Sequence, residues 1–477
     1  MAERENAIRD ARVLGIPQML VLGLQHMFAM FGATILVPLL VSNYFKGEGI
    51  SIQVTLMCAG IGTLLFHVCS KLKVPAFLGS SFAYLGGFET VAHLKSGPYA
   101  SMSMGEKVPY ACGGIVVAGL MYIVLALIIK AVGVKKVMRF LPPVVTGPII
   151  ICIGLSLAPS AIANASSNWL LALIALGVVV VFNIWGKGMF KIIPILMGVV
   201  ISYAAALIMN AAGMTNADGS AILDFTSAAK AGLIGLPPFQ ICRFDLTAIL
   251  VMAPIAIATM MEHIGDISAI SATVGENYIE DPGLHRTLAG DGLATALAGL
   301  FGGPANTTYG ENTGVLELSH VYDPAVVRIA ACFAVVLSFF PKIAGIIGSM
   351  PSAIVGGISF ILYGMISAIG VRNVVENEVD FTQSRNLIIA AVILVCGLGF
   401  TGGLTFTVGG TSITLTSLAI AALAGVILNA ILPGNEYEFG ANPEGDISRG
   451  LGINPQNSDI HKKNEEKANK EEDNQKA

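Results

Sequence analysis

Charge is scarce in this chain. Asp, Glu, Lys and Arg together make up 12% of its 477 residues, about half the usual quarter of a soluble protein. That shortage excludes the two or three soluble domains that the length alone would suggest. A basic excess is also missing, with 27 Lys and Arg against 31 Asp and Glu and a net charge of −4, so there is no electrostatic footprint for nucleic acid. The seven cysteines show no CxxC or Cys/His metal spacing. Cys58, Cys152, Cys332 and Cys396 sit in apolar runs and read as small buried hydrophobes. No leader peptide is expected, because the apolar run behind the polar arm of Arg4, Arg9 and Arg12 is too long for one and lacks a cleavage site. No nucleophile–base pair, phosphate loop or metal cluster stands out, so neither an enzyme nor a cofactor is expected.

Apolar residues fill the gap. The AVILMFWYC set reaches 54%, there are 54 glycines, and mean hydropathy is +0.75. A spanning helix needs about 20 apolar residues. Eleven runs qualify: Ile16–Val41, Ile52–Cys69, Val108–Ile129, Leu170–Trp185, Ile192–Ala212, Leu246–Ala272, Thr287–Phe301, Ala325–Phe340, Ala353–Ile369, Leu387–Phe400 and Ile413–Leu432. Three more, Pro75–Val91, Phe140–Ala163 and Pro304–His320, are apolar but broken by Gly, Pro and Ser. The reading is an all-α polytopic membrane protein of about fourteen segments. Alternating the loops then puts 21 Lys and Arg on the side of both termini and 6 on the other. By the positive-inside rule both termini are cytoplasmic and the chain is multi-pass in the cell membrane. The tail after Pro433 is polar, and its last stretch is almost purely Lys, Glu, Asn, Asp and Gln, a solvated end without a core.

Two of the breaks point to a site. Pro75–Tyr84 is too rich in Gly and Ser for a regular helix, and Pro304–Asn312 reads as an extended piece entering a helix. Irregular backbone at membrane depth survives only where protein or a watery cavity satisfies it. The first break is the third segment and the second is the third after a shift of seven, the pattern of two inverted repeats with a site between the breaks. The bland alternative is a pair of packing kinks.

Ionisable residues inside spans are functional candidates by default. They are His26, Glu89, Glu262, His263, Asp266, Asp291, Glu311, Glu317 and His320, of which Glu89, Glu317 and His320 lie near helix ends. Glu262 and Asp266, four apart, share one helix face. Two such carboxylates in a low dielectric do not readily both ionise, so the pair can hold a proton. His263 points elsewhere and reads as an interhelical packing residue. Glu311 follows Tyr309-Gly310 where extended chain becomes helix, and free N–H groups gather there. Carboxylate acceptors beside N–H donors match a planar cyclic amide such as a nucleobase better than an inorganic anion.

These residues carry a resemblance. Gln25-His26 with Met27–Thr34, Leu78-Gly79-Ser80-Ser81-Phe82-Ala83, Glu262-His263-Ile264-Gly265, Asp281–Arg286 and above all Pro304–Val315 make the chain similar to the nucleobase–ascorbate transporter family, most of all to its bacterial uracil permeases. The resemblance runs from Gln18 to Leu432. It implies two inverted repeats of seven segments, with short antiparallel strands in segments 3 and 10. It also implies a core domain of residues 16–132 and 245–348 and a gate domain of 133–244 and 349–433, flanked by an arm (1–15) and a tail (434–477). Glu262 and Glu311 would accept hydrogen bonds from the base, and N–H groups at Phe82 and Gly310 would donate to its carbonyls. Phe82 and Tyr309 would shape the pocket. Glu262 and Asp266 would couple protons, and Gln25, His26, Asp291 and Asn312 would support the site. The implied partners are a nucleobase, protons and the lipid bilayer, with a homodimer left open. The implied function is proton-coupled import of uracil. Asp266 and Asp291 resemble the branch that carries xanthine or urate, which stays as the alternative, while Glu311 and the residues around it are uracil-like. An anion exchanger or channel of related fold is a remote alternative, because the carboxylates argue against an anion.

Overall fold

The computed structural model describes residues 7–95, 97–408, 411–434 and 437. The expected tail therefore lies outside the described residues except for Gly434 and Tyr437. Helices dominate, as apolar chain in lipid requires, since a helix satisfies its own backbone. In chain order they are α1 (Ile16–Tyr44), α2 (Ile52–Cys69), α3 (Leu85–Ala92), α4 (Met104–Val132), α5 (Val134–Met138), α6 (Pro143–Ser156), α7 (Ala158–Ala165), α8 (Trp169–Trp185), α9 (Met189–Ile192) and α10 (Pro194–Ala211). There follow α11 (Thr226–Lys230), α12 (Leu246–Met252), α13 (Ile255–Val274), α14 (Leu284–Leu300), α15 (Gly310–Ser319), α16 (Pro324–Leu337), α17 (Pro341–Gly348), α18 (Ser352–Glu376), α19 (Ser384–Gly399) and α20 (Ser417–Ile431). Four strands, β1 (Leu78–Ser80), β2 (Asn306–Thr308), β3 (Leu404–Val408) and β4 (Thr411–Leu415), make two antiparallel pairs.

Among the described residues seven helical spans are long and apolar enough to cross a membrane, or eight if the bent pair α16–α17 is one span. The ends follow local chemistry. Proline opens α6, α10, α16 and α17, where its missing N–H costs no bond. A capping box starts α4: Ser103 accepts from the Glu106 N–H, and the Glu106 side chain accepts from the Ser103 N–H.

Three expected segments need correction. Phe140–Ala163 is interrupted only at Leu157, where α6 gives way to α7, and the two helices form one apolar span, Pro143–Ala165. Ala325–Phe340 ends early, because α16 stops at Leu337 and the chain turns 87° into α17. The run Ile413–Leu432 begins in strand β4, not in a helix, and α20 starts only at Ser417.

The helices pack in two groups. In one, α4 lies on α14, α14 on α2, α2 on α16 and α16 on α1. A Cβ at Gly119 would stand 2.5 Å from the Gly292 carbonyl oxygen, and one at Gly292 would stand 2.6 Å from that of Gly119. Glycine at both positions is what lets α4 and α14 touch backbone to backbone. In the other group α6, α7 and α8 pack on α18, α19 on α6 and α20, and α10 on α8. The β1–β2 pair lies within the first group, against α1, α2, α13 and α14. The N-terminal arm is docked on the same group. The Ile8 N–H donates to His320 O at 2.9 Å, the Tyr322 N–H donates to Ile8 O at 2.8 Å, and Arg9 pairs with Glu276.

Candidate functional site

The two broken segments meet. Leu78, Gly79 and Ser80 of β1 face Thr308, Thr307 and Asn306 of β2. The ladder extends by one bond at each end, Tyr309 N–H to Phe77 O at 3.0 Å and Ser81 N–H to Ala305 O at 2.8 Å. Backbone that lipid could not satisfy is thus satisfied across the pair. Each strand leads directly into a helix. β1 runs through a single turn at Phe82–Tyr84 into α3, and β2 runs through Tyr309 into α15. Neither the turn, preceded by Ser81, nor α15, preceded by Tyr309, carries a side-chain cap. Their first N–H groups therefore remain for a ligand.

The strand pair is locked by side chains. The Tyr309 hydroxyl donates to Ser80 O at 2.9 Å and lies 3.4 Å from Thr34 Oγ1. Its ring covers Gly79, where a Cβ would stand 2.4 Å from the Cε2 and Cζ atoms. Tyr309 therefore braces β1 from beneath, and its ring is 4% exposed. Thr63 Oγ1 accepts the Leu78 N–H at 2.9 Å, and Thr295 Oγ1 accepts the Asn306 N–H at 3.2 Å.

Helix α13 supplies the carboxylates. Glu262 and Asp266 lie on it one turn apart, partly buried. Asp266 Oδ2 accepts the Thr308 hydroxyl at 2.7 Å, so the helix is tied to β2. Glu262 Oε2 is buried with no hydrogen-bond partner among the described residues, and Asp266, Asp291 and Glu311 all act on it electrostatically. Glu311 sits in the first turn of α15, next to Gly310, which is exposed. A Cβ placed on Gly265, Gly310 or Gly314 would meet nothing within 4 Å. There is open space beside the carboxylates and the helix start.

The remaining candidates fall into separate places. His263 Nδ1 lies 2.8 Å from Asp291 Oδ2, with both side chains fully buried. This is an ion-pair distance, although the N–H direction falls outside hydrogen-bond geometry. Phe66 and Tyr122 stand edge-on to the His263 ring at 6.3 and 6.5 Å. The pair bridges α13 and α14. The Asn312 amide donates to His26 O at 3.0 Å and lies 3.2 Å from His26 Nδ1, which holds α15 against α1. Gln25 lines a different cavity of about 290 Å³, with Leu22, Gly188, Met189, Leu318 and Ser319. The Phe82 ring meets Tyr363 of α18 edge to face at 6.1 Å. Thr308 and Tyr363 are contributors that residue-by-residue reading missed. No local signal marks Tyr363, whereas Thr308 lies inside the second break. Among the described residues no cluster of His, Cys, Asp or Glu could hold a metal ion.

A bundle of apolar spans with paired interruptions inside it defines a multi-pass membrane protein. Comparison with known proteins narrows this. A model described as the permease family matches residues 17–405, and the chain belongs to the nucleobase–ascorbate transporter family. It is 40% identical over 442 residues to a uracil permease of Bacillus caldolyticus, covering 90% of this chain and 94% of the relative. It is 40% identical over 429 residues to a uracil permease of Bacillus subtilis, covering 86% and 91%. It is 36% identical over 426 residues to the putative pyrimidine permease RutG of Escherichia coli, covering 88% and 90%. Among solved structures, the transmembrane domain of the cyanobacterial bicarbonate transporter BicA superposes with a TM-score of 0.56 at 16% identity, covering 84% of this chain and 97% of that one. Murine Slc26a9 gives 0.58 at 10% identity, covering 87% and 68%. These two likenesses establish the fold alone.

Proposed function

We propose that the chain is a proton-coupled symporter that imports uracil across the cytoplasmic membrane by alternating access. The observation that supports this is the meeting of β1 and β2, which brings the uncapped starts at Phe82 and Gly310 into one strand pair, with α13, the helix of Glu262, packed on both turns. Uracil has two ring N–H groups and two carbonyls on its edge. Glu262 and Glu311 accept from the former, and the two backbone N–H groups donate to the latter. The relatives named uracil and pyrimidine permeases support this substrate over xanthine or urate, which is not favoured. An inorganic anion would be repelled by the same carboxylates.

In this reading the chain holds fourteen segments in two inverted repeats of seven, with β1 in the third and β2 in the tenth. The helix group around α14 is the core domain (residues 16–132 and 245–348), and the group around α18 is the gate (133–244 and 349–433). The core carries the site past the gate. The Lys and Arg distribution supports cytoplasmic termini. Glu262 is the proton carrier and Asp266 its coupled neighbour. Gln25, His26, Asp291 and Asn312 support the frame, and Phe82 forms a wall. The test is uptake of labelled uracil and of labelled xanthine into reconstituted vesicles, with and without an imposed proton gradient. Gradient-driven accumulation of uracil alone is expected. Accumulation of xanthine, or uracil uptake indifferent to the gradient, would overturn the reading.

A further inference from the structure

The two helix groups pack on each other along α1, with Gly32 against Ile195 of α10, but the two ends of α1 differ. At its C-terminal end the Asn43 amide donates to Asn164 Oδ1 at 2.9 Å. Asn164 belongs to α7, and its own amide is held by Ser160 O at 2.8 Å. Just inside this contact the hydroxyl of Tyr44 on α1 faces the Ser160 side chain, and that of Tyr363 on α18 faces Ser359 first and Ser160 second. Both phenol hydroxyls are buried without a completed hydrogen bond. Tyr363 in turn meets Phe82, at the mouth of the first break. Near the other end of α1, Leu22 and Gln25 line the 290 Å³ cavity with Met189 of α9 and Leu318 of α15. From Gln25 to Asn43 is about 27 Å along a helix, close to the roughly 30 Å hydrocarbon thickness of a bilayer.

We propose that Asn43–Asn164, backed by Tyr44, Ser160 and Tyr363, is the latch that closes one face of the carrier, and that it parts in every transport cycle. This rests on the alternating-access reading above. The chemistry suits a contact made to break. One neutral amide pair at an exposed rim is weak enough for substrate binding to outweigh. The two phenol hydroxyls lack partners when closed and regain water when open, so closure is not frozen by a satisfied buried network. The ring contact of Tyr363 with Phe82 links the state of the latch to the site.

The experiment uses the full chain with its seven native cysteines replaced by alanine, carrying N43C and N164C, reconstituted in vesicles. The thiols are bridged with a short bis-methanethiosulfonate and released with dithiothreitol. Bridging should lower counterflow of labelled uracil at least about twentyfold, reversibly, while uracil binding to the solubilised protein stays within about threefold. A second reporter does not depend on the substrate. Ser359 of α18 is fully buried, and S359C should react with a membrane-impermeant maleimide at least about tenfold more slowly when the bridge is closed. Undiminished counterflow in fully bridged protein, or failure of the two thiols to bridge at all, overturns the latch. If the unbridged parent and the wild type both fail to move uracil, the substrate reading fails instead. The maleimide rate then decides the latch alone, and an unchanged rate overturns it.

Discussion

A methyl group added at Gly310 should leave the fold intact and abolish tight binding. Gly310 is the first residue of α15 and is exposed, and its new Cβ would meet no atom within 4 Å. Its backbone is not in the left-handed region, so alanine should be neutral or add up to about 1 kcal/mol to helix stability. The open space it would enter is where, in the proposed binding mode, the base approaches to accept the Gly310 N–H. Displacing that bond loses roughly 0.5–1.5 kcal/mol net, and crowding a well-packed ligand adds about 1–3 kcal/mol. Binding should therefore weaken about 10- to 1,000-fold at 1.4 kcal/mol per decade. The control is Gly79→Ala. There the Cβ would stand 2.4 Å from two ring atoms of Tyr309 and 2.8 Å from its hydroxyl oxygen, so the ring must leave and its bond to Ser80 O breaks. That variant should lose thermal stability. Both are read by thermal unfolding in detergent and by uracil binding on the purified protein. Gly310→Ala with wild-type affinity would show that the base does not approach this turn. Gly79→Ala with wild-type melting would show that the Tyr309 brace carries no weight.

Other outcomes follow from the same site. Glu311→Ala removes a charge-assisted acceptor worth roughly 1.5–3 kcal/mol, so uracil binding should drop at least about tenfold with melting unchanged; near-normal binding would refute its contact with the base. Cytosine presents an acceptor where uracil has N3–H and an amino donor where it has O4, and such a buried mismatch can reach a factor of about 10⁴, so cytosine should fail to compete in uptake assays. Glu262→Gln should still bind, through the amide oxygen, but should not accumulate uracil on a proton gradient, and its binding should vary less with pH than the wild type. Proton flux measured beside uracil flux checks this, and coupled accumulation by Glu262→Gln would move the proton site elsewhere.

The two breaks were readable because Pro, Gly and Ser interrupt apolar runs at Pro75–Tyr84 and Pro304–Asn312, and the structure puts strands inside both. At Phe140–Ala163 the same letters mark only a small interruption at Leu157, between two helices of one span. Pro143 only opens α6, and Gly147 and Gly154 serve close packing: a Cβ there would stand 2.3 Å from Val374 Cγ2 and 2.2 Å from Tyr363 O. Glycine marks a break or a tight contact, and only the partner helix says which. The β3–β4 hairpin had a signal that hydropathy windows average away, alternating Thr and apolar residues on either side of Gly409-Gly410. The pairing of His263 with Asp291 and of Asp266 with Thr308 joins elements 28 and 42 positions apart, and no local pattern encodes such partners. Residue types named the carboxylates, but only folding could sort one acid to a histidine and the other to a strand.

The strand pair also has a consequence for how the protein is made. Leu78 is bonded across to Thr308, about 230 residues later. At roughly 5–20 residues per second of synthesis, the first strand waits on the order of ten to fifty seconds for its partner. During that interval Thr63 can already serve Leu78, but the peptide groups that β2 will bond have no strand to pair with, and hydrocarbon offers none. The early half of the molecule cannot settle at its final depth by itself. It must be sheltered beside the insertion machinery or left near the interface until the second break emerges. Assembly of this part of the fold thus waits on a short ladder closed late.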